Sequence, residues 1–215
     1  MRVLLGISGA SGAVYGVRCC GLLLAQGIDL HVLVTRTAWD ILAAEAGNGK
    51  VPGTLAARKR WLAGLIGGPR PFLLHAEDDF RIPFASGSNP PDAMIVAPCS
   101  MGTAGRIASG VSSSVLTRCA DVVLKERKPL VLMIRETPLS VLHLENLLAL
   151  ARAGADVLPA CPGFYHRPES VSDLVDFVAS RALSRIGIDA GVLPRWGEGG
   201  AVPKEERHEK NPCGR

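Results

Sequence analysis

Five short apolar runs, each followed by a segment of helical periodicity, constrain this chain more than any other feature. "RVLLGI", "DLHVLVT", "DAMIVAP", "PLVLMIR" and "ADVLPA" carry Leu, Val and Ile at odd and even positions alike, the pattern of strands covered on both faces. In "AVYGVRCCGLLLAQ", "AWDILAAEAG", "SSSVLTRCADVVLKER", "LSVLHLENLLALARAG" and "SVSDLVDFVASRALSRIG" the apolar residues recur at three- and four-residue intervals instead. Strand and helix alternating at this spacing predict an α/β fold, a Rossmann-like doubly wound parallel sheet. A chain of 215 residues can bury one substantial core, so a single domain is expected over residues 1–188. Residues 189–215 form a polar extension whose "KEERHEK" is too charged to join that core and reads as a partly mobile tail. The stretch from Gly47 to Pro71, rich in Gly and Pro with "RKRW" inside it, breaks the alternation and predicts a loop with one short helix.

Charge and cysteine usage exclude several partners. The 24 Lys+Arg only slightly outnumber the 20 Asp+Glu and are dispersed among them, which argues against a nucleic-acid surface and leaves room for a small anion. Cys19, Cys20, Cys99, Cys119, Cys161 and Cys213 form no C-x-x-C pair and no ligand spacing with the five histidines, so reduced thiols and no metal are expected. No basic leader precedes an apolar h-region and no apolar run approaches about 18 residues. The expectation is a cytoplasmic protein without a membrane-spanning segment.

Ligands of doubly wound sheets sit outside the carboxyl ends of the strands. After the first run comes Gly9, Ala10, Ser11 and Gly12, a loop whose glycines permit close backbone approach, leading into a helix whose first amides favour an anion. A plain tight turn has the same composition. Thr35 follows the second run, where its hydroxyl can cap the next helix or bind a ligand. "PCSMGTAGRIASG" follows the third and places Ser100 and Thr103 at another helix start. Three hydroxyl-bearing helix starts on one sheet edge favour an anion site over three unrelated caps. The fourth run ends in Arg135 and Glu136, which taken alone read as an ordinary surface pair. The glycine spacing is not G-x-G-x-x-G and no acid follows the second run, which disfavours a dinucleotide dehydrogenase.

"GISGASGAVYG", "PCSMGT", "LTRCADVVLKERKPLVLMIRETPLS" and "PGFYHRP" together resemble the flavin prenyltransferases of the UbiX/Pad type, over about Arg2 to Ile188 and in family order. The resemblance implies a Rossmann-like subunit of a homo-oligomer, often a dodecamer, with flavin mononucleotide (FMN) at a subunit junction and no metal. The implied reaction joins the dimethylallyl group of dimethylallyl phosphate to N5 and C6 of reduced FMN, making prenylated FMN for a separate UbiD-type decarboxylase. It further implies that Gly9, Ala10, Ser11, Gly12, Thr35, Ser100, Thr103 and Arg118 hold the flavin, with Ser11 beside N5. Lys125, Arg135, Tyr165 and Arg181 match the groups that hold the prenyl phosphate, and Glu45 and Glu136 the two acidic active-site residues, making Ser11, Glu45 and Glu136 the catalytic set. Gly102 stands where relatives often carry lysine, with Arg106 a helical turn away, and Trp196 resembles a tryptophan near the mouth of the site.

The residue types suit that chemistry. Phosphate leaves an allylic carbon slowly unless fixed cations stabilise the growing charge, which Lys125, Arg135 and Arg181 can do. The bond at C6 requires loss of a ring proton, for which Glu136 is the chosen acid-base group, with released phosphate as its partner. Two alternatives remain. A flavin-dependent cysteinyl decarboxylase of the same fold would need a histidine in the early helices, whereas the one early histidine, His31, lies in a strand run. A non-catalytic flavin-binding subunit would lack acid-base groups, against which Ser11, Glu45 and Glu136 stand.

Overall fold

The computed structural model describes residues 1–47, 49–68 and 71–192. Strands β1 (Arg2–Ile7), β2 (Asp29–Val34), β3 (Leu73–His75), β4 (Ala93–Cys99), β5 (Leu130–Ile134) and β6 (Asp156–Pro159) form one parallel sheet in the order β3-β2-β1-β4-β5-β6. That order reverses direction between β1 and β4, and a crevice opens at the carboxyl ends of strands at such a switch point. Helices α1 (Ala13–Ala25), α2 (Arg36–Glu45), α3 (Leu55–Ile66) and α7 (Val171–Arg185) contribute to one face, and α4 (Met101–Ala108), α5 (Val115–Lys125) and α6 (Val141–Arg152) to the other.

Alternation along each strand divides the core. Val3, Leu5 and Ile7 enter one buried cluster with Leu23, Trp39 and Leu183, while Leu4 enters the other with Met94, Leu116 and Leu132. Both faces are covered, which is why the strand runs are apolar throughout. Gly16 lets α1 lie directly on β4, since a Cβ there would stand 2.4 Å from the Ala97 carbonyl oxygen. Arg18 of α1 grips Asp176 of α7 through both carboxylate oxygens, fixing the two helices side by side.

All five expected strands are present, and a sixth is added. β3 is only three residues long and follows Pro71, just past the stretch expected to hold a loop and one short helix. The same stretch carries α3, a twelve-residue helix capped by Thr54, whose Leu62 is buried and whose Trp61 ring lies 6.2 Å from that of Trp39. Gly47–Pro71 is thus largely part of the packed fold. The extension from 193 onward, including Trp196 and Cys213, lies outside the described residues. Among the described residues no helix is long and apolar enough to cross a membrane.

Candidate active site

The loop after β1 is held from two sides. Gly12 adopts φ +100°, a left-handed conformation that disfavours a side chain, and it precedes α1 without offering a cap of its own. Glu45, at the far end of α2, supplies the missing acceptor: its Oε2 accepts from the amides of Gly12 at 2.9 Å and Ala13 at 2.8 Å. A carboxylate at a helix amino terminus is favoured by the free amides and the helix dipole. Arg135, directly after β5, donates from Nε to the Ser11 carbonyl oxygen at 2.8 Å. Ser11 itself is exposed. Two residues far apart in sequence, Glu45 and Arg135, therefore converge on one loop, and Glu45 does not simply face water.

Across the switch point, Ser100 caps α4. Its hydroxyl accepts from the Thr103 amide at 3.3 Å and lies 3.0 Å from the Thr103 hydroxyl, which also accepts from Arg106 Nη2 at 3.2 Å. Gly102 leaves space that Arg106 borders, 3.8 Å from a Cβ built there. Thr35 caps α2 by accepting from the Ala38 amide at 3.3 Å, so the cap reading and an edge position coexist. Glu136 is half-buried, with Oε1 accepting from the Thr137 amide at 3.1 Å; it forms no pair with Arg135.

The remaining predicted groups lie on other elements. Tyr165 follows β6, its ring edge-on to Phe177 at 5.6 Å and to His166 at 5.8 Å. Arg181 lies well along α7, lining a groove of about 240 Å³ with β6 and Phe177. Arg118 lies one turn inside α5, bonded to the Ala85 carbonyl oxygen at 3.0 Å and to Asp121 at 2.9 Å. Lys125 ends α5 beside Gly87, paired with Glu126, at the amino edge of the sheet. β4 alone separates the two edges by about 20 Å at roughly 3.3 Å per residue. A single subunit therefore does not bring Lys125 to the Ser11 loop.

Ser8 stands behind this edge, at a position that nothing in the sequence singles out. It is fully buried and links the ends of β1 and β4 through Pro98 and Ser100. Four buried thiols are held in the protonated form: burial pushes Cys19, Cys99 and Cys119 up to about 12 and raises Cys20 as well. His31 lies in β2, stacked on His75, and neither α1 nor α2 contains a histidine.

Fold and edge together define an α/β protein with a single parallel sheet whose switch point is bordered by the Ser11 loop and the Ser100 cap. The chain belongs to the Flavoprotein family, whose model matches residues 1–183. The flavin prenyltransferase UbiX of Pseudomonas aeruginosa is 43% identical over 205 residues, covering 95% of this chain and 98% of its own. That of Synechocystis is 45% identical over 197 residues, covering 90% of this chain and 95% of its own. Among solved structures, AnUbiX (PadA1) in complex with FMN and dimethylallyl pyrophosphate superposes with a TM-score of 0.80 at 34% identity, covering 93% of this chain and 98% of the other. A dodecameric FMN-dependent UbiX-like decarboxylase from Escherichia coli O157:H7 gives 0.79 at 36%, covering 91% and 99%. The FMN-dependent cysteine decarboxylase TvaF, at 18% identity and 0.55, shares the fold alone.

Proposed function

We propose that this chain is a flavin prenyltransferase that joins the dimethylallyl group of dimethylallyl phosphate to N5 and C6 of reduced FMN. In this reading residues 1–188 are the catalytic domain, the working form is a cytoplasmic homo-oligomer without a metal, and prenylated FMN passes to a UbiD-type decarboxylase. The observation that carries it is the Ser11 loop, braced by Glu45 and Arg135 and facing the Ser100 cap across the switch point.

The donor set fits FMN. Gly9, Ala10, Ser11 and Gly12 offer backbone and hydroxyl groups on one side, Ser100 and Thr103 on the other, and Thr35 stands where a ribose-binding acid would be needed for a dinucleotide. FMN bound in its reduced form supplies the two ring positions that are prenylated. Arg135 spends only Nε on Ser11, so its two terminal nitrogens can grip a phosphate. Glu136 stands next to it as the group that holds and moves a proton. Tyr165 can donate its phenol to the phosphate, Arg118 reaches the flavin, and Lys125 and Arg181 complete the clamp from neighbouring subunits, since Lys125 ends α5 at the amino edge and Arg181 lies well along α7.

Incubating the protein with reduced FMN and dimethylallyl phosphate tests the reading directly. The expected flavin product is heavier by one C5H8 unit, with one phosphate released. A protein that forms no such adduct and instead liberates carbon dioxide from a cysteinyl substrate would be the decarboxylase alternative.

A further inference from the structure

We propose that Ser8 is a positioning residue that sets the Ser100 hydroxyl at a fixed distance from the Gly9–Gly12 loop; the idea rests on the flavin reading above. Ser8 touches no ligand-facing space, being 0% exposed. Each of its polar groups is nonetheless assigned. Its amide donates to the Pro98 carbonyl oxygen at 3.1 Å, and its hydroxyl donates to that same oxygen at 3.0 Å while accepting from the Ser100 amide at 2.8 Å. Its own carbonyl oxygen accepts from the Ala10 amide at 2.8 Å, which turns the chain into the loop.

The need for such a link lies in β4. The β1–β4 ladder ends at the Gly6–Val96 pair, and the pairing of β4 with β5 shifts register between Val96 and Cys99. Pro98 has no amide to donate, so the ladder cannot carry order outward to Ser100 on its own. Ser8 extends the connection by two residues on each strand. One side chain therefore fixes both halves of the crevice, the loop that begins at Gly9 and the cap at Ser100.

Removing the hydroxyl leaves the Ser100 amide without its acceptor. A part-buried amide in that state is relieved most easily by turning toward water, which displaces the Ser100 hydroxyl with it. Misplacement of a binding group by about 1 Å is enough to cost a large factor in function.

The test compares wild type, Ser8→Ala, Ser100→Ala and the double variant by FMN titration, thermal unfolding and amide hydrogen exchange, with Ser180→Ala as a control. Ser180 carries a buried hydroxyl without a partner in α7, so its loss should leave FMN affinity unchanged. Ser8→Ala is expected to weaken FMN binding about tenfold or more and to speed exchange at Ser100 and Thr103, while Leu4 and Leu5 stay protected. In the Ser100→Ala background the further loss on removing Ser8 should shrink, because the group it positions is gone. Unchanged FMN affinity in Ser8→Ala, or effects that simply add, would overturn the proposal. If Ser8→Ala does not fold, Ser8→Cys, a larger and weaker acceptor, is read by the same comparison. Should wild type itself fail to bind FMN, the flavin reading falls, and exchange at the Ser100 amide alone decides whether Ser8 holds it: faster in the variant supports the link, unchanged refutes it.

Discussion

Arg135 Nε donates to the carbonyl oxygen of Ser11 at 2.8 Å, joining the end of β5 to the loop after β1 over the top of β4. The bond orients the guanidinium while engaging only its Nε. Arg135→Ala removes the orientation and the charge together. A charge-assisted bond contributes about 1.5–3 kcal/mol, so KM for dimethylallyl phosphate should rise roughly 10- to 150-fold. Arg135→Lys should recover only part of this, because one ammonium cannot hold Ser11 and grip a phosphate in a fork. Steady-state kinetics on the three proteins decides it, and an unchanged KM in Arg135→Ala would remove Arg135 from the clamp.

Glu45 connects stability to the same loop. Its carboxylate takes the amides of Gly12 and Ala13, which the left-handed Gly12 leaves exposed to capping from outside. Glu45→Ala should lower unfolding stability by about 1 kcal/mol, the usual loss for a missing amino-terminal cap. Glu45→Gln retains an acceptor and should lose less. Urea unfolding separates this from a purely chemical role, in which Glu45→Ala would unfold at the wild-type midpoint and lose only turnover.

Glu136 is half-buried beside Arg135 and accepts from Thr137. Glu136→Gln keeps the shape and removes the carboxylate. FMN affinity should stay near wild type while turnover falls about a hundredfold or more, the size of a lost general acid-base contribution. Equal losses in FMN binding and turnover would instead make Glu136 a binding residue.

The pH dependence of stability should come from a pair outside the site. His31 Nδ1 and His75 Nε2 are 2.7 Å apart with their rings stacked, and Phe84 meets His31 edge-on. Burial lowers both from the ordinary value of 6.5, and His75 is lowered further by His31. Arg2 acts in the same direction on His31, while Asp29 opposes it and Asp79 opposes the shift of His75. A lowered histidine is neutral in the folded protein where the unfolded chain already binds a proton. Stability is therefore full above pH 6.5 and is lost as pH falls below it, until the folded pair protonates too, at no more than about 1.4 kcal/mol per pH unit for each histidine. Urea midpoints at pH 7.5 and 5.5 should differ in wild type and differ less in His75→Gln. Equal wild-type midpoints would dismiss the pair as a determinant.

What was legible in the sequence followed from pattern length. β1, β2, β4 and β5 have enough β-branched and Leu residues to declare themselves, and the loops after them could be located by their ends alone. β3 has three residues just after Pro71, too few to show a period. α4 has eight, with Gly102 and Gly105 among them, so only its Ser100 cap announced it. Ser8 looked like one more turn residue because its meaning lies in Pro98 and Ser100, about ninety positions away. Glu45 and Arg135 could be named by resemblance, but that both brace the loop around Ser11 and Gly12 needed the fold. For Lys125 the resemblance supplied a role that a single subunit has no means of meeting.

That last mismatch predicts assembly. α6 is well formed, with Ser140 and His143 capping its start, yet Val141, Leu142, Leu144 and Leu148 are 71%, 64%, 52% and 50% exposed. A contiguous apolar face of this kind marks an interaction surface, and a relative of the same fold is dodecameric. A second copy of the chain on α6 would hide the face and create junctions that unite groups from different edges. Leu144→Arg should therefore yield a smaller species by light scattering, with helical content retained and prenylation lost. Complementation then tests the junction itself. Lys125→Ala and Glu136→Ala proteins, each inactive alone, should regain activity when dissociated and reassembled together, because some junctions would combine an intact Lys125 from one subunit with an intact Glu136 from another. No recovery in mixed oligomers of confirmed composition, or full activity in the Leu144→Arg species, would mean that the site is complete within one chain.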